Sequence, residues 1–389
     1  MDPLNLNQKI DFIYYYPTEG GSPNNVSRNL FKYLLLYQNY LPFENIKIFC
    51  KKKNVQKIKE QFPHLEVLTY WDLKKISSNS LIHIPILPTI LPNSKFLLYI
   101  YCLLNKKTQF ILQYHGDVRT ELRSSYKDFV SLIHILTYIF IPKILQSADF
   151  VITHSYYMKR IIQDYNVKNI FVIPNAIEPY WFEDSIKDIP INQLINKNKF
   201  NIFYHGRLSW EKGVDLLIEA LGFYIKKNKE VVLYLAGEGP QKKELREISS
   251  KMGLDNSVIF LGNLDKDNIN YFLKNSDLAI YPSRFDNFPL SILEALACSK
   301  CPVYFSKNTG ISEFLPQEKI GLNVFELSTQ NIVRILEEVD IGNSINSSLS
   351  IQKDFAKKFL WDSVIFQYLN VYVNLLKTRN IHTSEDERL

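Results

Sequence analysis

Only four cysteines occur in 389 residues, at Cys50, Cys102, Cys298 and Cys301. So few in a chain this long form no disulfide framework, a device of small secreted domains that lack core. Cys298 and Cys301 have the C-x-x-C spacing of a redox or zinc pair. Tetrahedral zinc needs four ligands, however, and no second pair supplies them, so ordinary packing is the better reading. Long apolar runs are missing too. The longest uncharged apolar run, between Asp128 and Lys143, has 14 residues including His134, short of the roughly 18 that span a bilayer. Met1 to Gln8 lacks the basic segment and apolar core of a secretory signal. The expectation is a cytoplasmic chain without a transmembrane helix. Internal repeats and low-complexity segments are absent as well.

What is present is core-forming material. Apolar residues make up 46% of the chain, which places it among globular proteins rather than disordered ones. The length fits about two domains of ordinary size. Charge is uneven: 22 Lys and Arg stand against 16 Asp and Glu up to Pro190, and 24 against 24 beyond it. The excess of +6 therefore lies in the N-terminal half, with Lys51, Lys52, Lys53, Lys57 and Lys59 clustered. Such a patch favours anionic surfaces, lipid headgroups or nucleic acid; a solvated lysine-rich face accounts for it equally well. No RNA- or DNA-binding module accompanies it, so nucleic acid is not expected as a partner.

Short apolar runs alternate with helical patterns throughout the first half. Lys9 to Tyr16 reads as a strand closed by Pro17, followed by Gly20-Gly21 and a helix begun by Ser22 as cap and Pro23, with Val26, Leu30, Leu34 and Tyr37 at helical spacing. Further strands are expected at 46–50, 81–87, 109–114, 150–154 and 170–174. The alternation implies parallel sheets with crossover helices. Residues 181–199, charged and aperiodic, read as a linker. Beyond it come strands at 201–205, 231–236, 258–262 and 278–281, and a final amphipathic helix carrying Trp361, Val364, Tyr368, Val371 and Leu375.

The densest stretch is Tyr281 to Pro302. A short strand runs into a loop carrying Arg284, Asp286 and Asn287, and a helix starting near Pro289 places Glu294 in its first two turns. Backbone N–H groups at a helix start, on the carboxyl edge of a strand, are where open α/β sheets bind phosphorylated ligands. Asp286, seven residues, Glu294 and then Ala295-Leu296-Ala297 through Pro302-Val303 resembles the signature of glycosyltransferase family 4, retaining enzymes of the GT-B fold. Asp286 is one methylene shorter than the family's usual Glu, and Ser299 replaces a glycine. Gly206-Arg207-Leu208 with Lys212-Gly213 resembles the family's donor-phosphate site. Gly237-Glu238-Gly239-Pro240 resembles its base-side turn, and His115-Gly116 its N-domain histidine. Pro174-Asn175-Ala176-Ile177-Glu178 and Asn308 to Glu313 match more loosely.

The resemblance implies an α/β fold of GT-B type, two Rossmann-like doubly wound domains facing a central cleft. The domains implied are 1–180 for the acceptor and 200–360 for the nucleotide sugar, with 361–378 as a returning helix and 379–389 as a polar tail. It also implies transfer of a sugar from a UDP- or GDP-linked donor to a glycan or lipid-linked acceptor, with retention and no further cofactor. Catalytic roles fall on Arg207, Lys212, His115 and Asp286. Donor binding falls on Gly20, Gly21, Gly206, Gly237, Asn287, Phe288, Leu290 and Glu294, and no residue is assigned to a metal. Two other readings use the same fold: a nucleotide-sugar-binding subunit without catalysis, and a sugar-nucleotide hydrolase or epimerase. The apolar stretches Phe96 to Leu104 and Phe129 to Ile141 suit either core helices or a peripheral membrane contact beside the lysine cluster.

Overall fold

Runs such as Phe12-Ile13-Tyr14-Tyr15 are apolar at consecutive positions, the pattern of strands covered on both faces. The computed structural model describes residues 10–41, 43–88, 92–116, 129–183, 195–226, 230–316, 322–341 and 348–386, without the side chains of 129–137, 348 and 377–386. It contains two wholly parallel sheets, of seven and six strands. The chain divides into two units. The first runs to Pro174 and takes in the last helix from Trp361 onward; the second includes Asn175–Leu360.

In the first unit the strands are β1 (Asp11–Tyr15), β2 (Asn45–Phe49), β3 (Glu66–Leu68), β4 (Ser80–Ile84), β5 (Gln109–Tyr114), β6 (Phe150–Thr153) and β7 (Ile170–Val172). Their order is β3-β2-β1-β4-β5-β6-β7, so the winding reverses at β1. The helix after β1 spans Ser22–Leu36, with Gly21 rather than Ser22 at its cap position, and buries Val26, Leu30 and Leu34. Its one-residue offset arises because Gly21 takes φ +104°, a backbone state that ends the turn before Ser22. The final helix, Trp361–Asp386, continues past the 361–378 range into the segment read as a tail. Its residues Trp361, Val364, Tyr368, Val371 and Leu375 are all buried, and each fully buried apolar side chain contributes roughly 1.5–3 kcal/mol. Trp361 stacks on Tyr33 at 5.5 Å, and the Tyr372 hydroxyl meets His83 Nδ1 at 2.8 Å.

In the second unit the strands are β8 (Phe200–His205), β9 (Val231–Ala236), β10 (Val258–Gly262), β11 (Leu278–Tyr281), β12 (Val303–Ser306) and β13 (Asn323–Phe325). The order β10-β9-β8-β11-β12-β13 reverses at β8. Residues 175–183 join this unit, because Ile177 N–H donates to Phe359 O at 2.9 Å and Trp181 is buried in its core. Of the expected linker, 184–194 lies outside the described residues. All four cysteines are buried; burial pushes the Cys301 thiol up to about 12 and the Cys298 thiol higher still, leaving both inert as nucleophiles. Among the described residues no helix is long and apolar enough to cross a membrane.

Candidate functional site

Because β8 lies between β9 and β11, the loops leaving these three strands meet at the carboxyl edge of the second sheet. This is the position where winding reverses and a crevice opens in doubly wound sheets. Backbone bonds fasten the loops together: Gly206 N–H to Ala236 O at 2.9 Å, Leu208 N–H to Glu238 O at 2.9 Å, and Arg284 N–H to Glu211 O at 2.8 Å. Two glycines permit the approach. A Cβ on Gly237 (φ +146°) would stand 1.9 Å from Gly206 O, and one on Gly213 (φ +66°) 2.0 Å from Pro282 O. No side-chain-bearing residue fits either place.

Two ion pairs and a histidine–carboxylate hydrogen bond tie these loops together. Lys212, in the single turn Trp210–Lys212 before the Val214–Tyr224 helix, is hydrogen-bonded through Nζ to Asp286 Oδ2, 74 residues away. Both side chains are mostly buried. Arg284 grips Asp215 with two bonds of 2.7 and 2.6 Å, donates to Trp210 O at 2.8 Å and lies over the Trp210 ring at 4.9 Å. A fork engaged on every side in this way is a strut, which holds the Asp286 loop against the turn carrying Lys212. His205 Nε2 meets Glu294 Oε2 at 3.0 Å, and Tyr281 OH meets His205 Nδ1 at 2.8 Å. Burial pushes the Tyr281 phenol far up, so it keeps its proton and donates. His205 then presents Nε2–H to the carboxylate, and a chain of two bonds aims Glu294.

The remaining residues expected in the second unit fall on the same loops. Arg207 is exposed beyond Gly206, and its carbonyl accepts from Tyr204 OH at 3.1 Å. Asn287 is buried. The Phe288 ring packs against Phe314 and Phe359 at 5.3 and 5.4 Å, while its carbonyl accepts from Asn175 Nδ2 at 2.8 Å. Pro289 is the cap rather than the first residue of the Leu290–Cys298 helix, since its ψ of 120° is extended. Leu290 opens that helix, and Glu294 follows one turn later.

In the first unit, Gly20 and Gly21 form an exposed turn after β1. Half-buried His115 follows β5; its Nε2–H donates to Pro85 O at 2.9 Å, and its Nδ1 faces His154 Nε2 at 3.1 Å. His154 Nδ1–H donates to Ile173 O at 2.8 Å, and Gln113 Nε2 reaches His154 Nε2 at 3.2 Å. Burial, then the neighbouring His154, pushes His115 well below the usual imidazole range, and burial brings His154 to about 4. Both rings are neutral near pH 7.

Two family models match in succession: the Glycosyltransferase Family 4 model over residues 67–180 and the Glycosyl transferases group 1 model over 185–343. Together they take in more than two thirds of the chain. The chain belongs to the group 1, family 4 glycosyltransferases. Among relatives of this glycosyltransferase, an uncharacterized glycosyltransferase of Methanocaldococcus jannaschii is 27% identical over 258 residues, covering 64% of each protein. The alpha-monoglucosyldiacylglycerol synthase of Streptococcus pneumoniae is 28% identical over 184 residues, covering 46% of this chain and 42% of that protein. The chain thus matches less than two thirds of either relative's own length. In fold, it is similar to the Anabaena protein HepE crystallised with UDP and glucose, at a TM-score of 0.69 and 17% identity over 94% of this chain and 99% of that one. The fold is GT-B, with two Rossmann-like units.

Sequence reasoning placed Arg284 in the loop without a role, and missed His205 and Tyr281 altogether. His205 ends a strand eight residues before Gly213 in an apolar run, and only pairing of β8 with β11 brings it within reach of Tyr281 and Glu294.

Proposed function

We propose that this glycosyltransferase moves a sugar, with retention of anomeric configuration, from a UDP- or GDP-linked donor to a glycan or lipid-linked acceptor. The observation that carries the reading is the Lys212–Asp286 pair. It sets a cation able to meet a diphosphate beside a carboxylate able to meet sugar hydroxyls, at the reversal point of the sheet. As the anomeric C–O bond breaks, its electron pair leaves with the nucleoside diphosphate, the acceptor oxygen bonds the anomeric carbon, and the acceptor's proton passes to the departing phosphate. Arg207 and Lys212 neutralise that growing charge, the largest catalytic lever at such a site. The incoming phosphates compete with Asp286 for Lys212, freeing Asp286 for donor hydroxyls. Glu294, aimed by His205, accepts from the ribose. His115 is neutral and both its ring nitrogens are engaged, by Pro85 O and by His154 Nε2, so it meets the donor as a hydrogen-bond partner only by turning from one of them.

The test is incubation with a labelled nucleotide sugar and candidate acceptors. A transferase releases nucleoside diphosphate in step with glycosylated acceptor. Release without acceptor points to a hydrolase, and donor held without release to a binding subunit. On this reading Arg207 and Lys212 supply the positive charge, so activity persists in excess EDTA; complete loss there overturns the metal-free mechanism.

A peripheral contact with anionic membrane is a second proposal, favoured by one specific observation. Exposed Trp71 sits beside the lysine cluster, with Lys52 Nζ 5.6 Å from its ring centre. An indole beside lysines suits the headgroup layer, and each basic residue there adds about 1 kcal/mol. The diacylglycerol named in the S. pneumoniae relative is consistent with a lipid acceptor. Co-sedimentation with anionic vesicles should weaken with salt and fall when Lys51, Lys52 and Lys53 become Glu. A protein that stays in the supernatant at low salt removes the membrane from the proposal.

A further inference from the structure

At the carboxyl edge of the first sheet the ends of β5 and β6 bring His115 and His154 together, and all four ring nitrogens lie within hydrogen-bond distance of a partner. A carbonyl oxygen only accepts. His115 therefore carries its proton on Nε2 to bond Pro85 O at 2.9 Å, and His154 carries its own on Nδ1 to bond Ile173 O at 2.8 Å. A neutral imidazole has one N–H. His115 Nδ1 and His154 Nε2 thus face each other at 3.1 Å with a lone pair on each, a contact that repels until a third proton enters it. His154 Nε2 already accepts from the Gln113 amide at 3.2 Å, whose other N–H goes to Tyr368 OH at 3.1 Å. The third proton belongs on His115 Nδ1, where it donates to His154 Nε2 and breaks none of the other bonds. His154 and Gln113 are fully buried, and half-buried His115 is the member of the pair that solvent reaches.

We propose that His154 is a positioning residue for His115 and works as a proton-dependent catch. With a proton on Nδ1, His115 bonds His154 and is held beside β6. Without that proton the contact repels, and His115 turns its Nδ1 to accept from a substrate hydroxyl. The turn gives up the His154 contact rather than the Pro85 bond, because only the bond to Pro85 is attractive in the neutral pair. The proton comes from solvent, and the pair takes it up as a unit. The titratable and charged groups around the pair set where the catch closes: His83 on β4 with Tyr372 bonded to it, Tyr368 on the final helix, and Lys95 in the Ser94–Leu104 helix. His83 and Lys95 both resist a positive charge on His115, as burial does, so the catch is open near pH 7 and closes on the acid side. That His115 serves sugar transfer rests on the transferase reading; the catch itself does not.

The experiment titrates the full chain, with its histidines labelled with nitrogen-15 and no ligand present, from about pH 8 to about pH 4 while NMR follows the imidazole nitrogens. The chain has seven histidines, and His154→Leu removes one set of signals and so assigns it. His115 Nδ1 and His154 Nε2 should respond together to a single proton, taken up below the ordinary imidazole value of 6.5. In transfer assays kcat/KM should fall about tenfold per pH unit on the acid side, with the apparent pKa of the ring titration. His154→Leu removes the acceptor and should move that limb down by about one pH unit or more. His154→Gln keeps an acceptor oxygen at the place of Nε2 and should leave the limb where it is in the wild type. A His154 that only packs would lower activity in both variants without moving the limb, which overturns the proposal. Two rings that titrate independently overturn it as well, and so does a pair that takes up no proton before the protein unfolds. The wild-type titration decides the matter even where His154→Leu fails to fold. It requires no sugar transfer, so a failed catch and a failed transferase reading remain distinguishable.

Discussion

The two sheets reverse at equivalent places, β1 in the first and β8 in the second, but their carboxyl edges are finished differently. Around β8 Lys212 pairs with Asp286 and Arg284 with Asp215, while Glu294 is held by a hydrogen bond from His205. Around β1, among the described residues, Lys51 pairs with Glu19 and Lys95 forms no ion pair. A matched edge is held rigidly before a ligand arrives, and each partner is released or redirected when one does. The same doubly wound geometry thus carries a more fully paired edge in one unit than in the other among the described residues.

The comparison breaks most visibly at Lys212. Lys212→Ala should lower kcat by two or more orders of magnitude, on the order of 3 kcal/mol, with the fold retained. Near wild-type turnover with an unchanged unfolding curve would remove Lys212 from the reaction. Next comes the relay from Tyr281 through His205 to Glu294. Glu294→Ala should weaken donor binding in calorimetry by about 1.5–3 kcal/mol, because charged hydrogen bonds are lost. Unchanged affinity would leave Glu294 a packing residue.

The glycines sharpen the contrast through stability alone. Gly237→Ala forces a Cβ onto Gly206 O and should cost about 2 kcal/mol or more in urea unfolding. Gly20→Ala meets nothing within 4 Å and should stay within about 0.5 kcal/mol. Equal effects at the two sites would mean that the tight junction of loops around β8 is not a real constraint.

How much of this was readable from residues depended on length and locality. Strands β1, β5, β8, β9 and β11 are apolar runs bounded by Gly, Pro or polar turns, and the fold class follows from their alternation with helices. Strands β3 and β13 have three residues each and mixed burial, too short for any period to register. Lys212 and Asp286 stand in recognisable motifs, but their pairing across 74 residues is a property of the sheet. Lys95 belongs to no motif. It opens an apolar helix, and only the adjacency of β1 and β4 puts its ammonium beside Glu19.

The smallest effect isolates that ammonium through its proton. Burial brings the Lys95 ammonium down to about 8, against 10.5 for a free lysine, so between these values the unfolded chain binds more proton than the folded one. Stability contributed by this group therefore rises with pH from about 8 upward, and the full cost of burying the charge is present below that. The slope cannot exceed about 1.4 kcal/mol per pH unit, and the partial exposure of the residue will reduce it. Buried phenols such as Tyr14 and Tyr281, whose pKa values are pushed up, act in the opposite sense at higher pH. Total stability is thus uninformative, and the difference between wild type and Lys95→Met is the useful quantity. Urea unfolding of both proteins at several pH values from 7 to 10 should show Lys95→Met more stable at pH 7 and the gap closing as pH rises. A gap that ignores pH would mean that Lys95 is an ordinary solvated lysine, and the two edges would then differ only in how many pairs they carry.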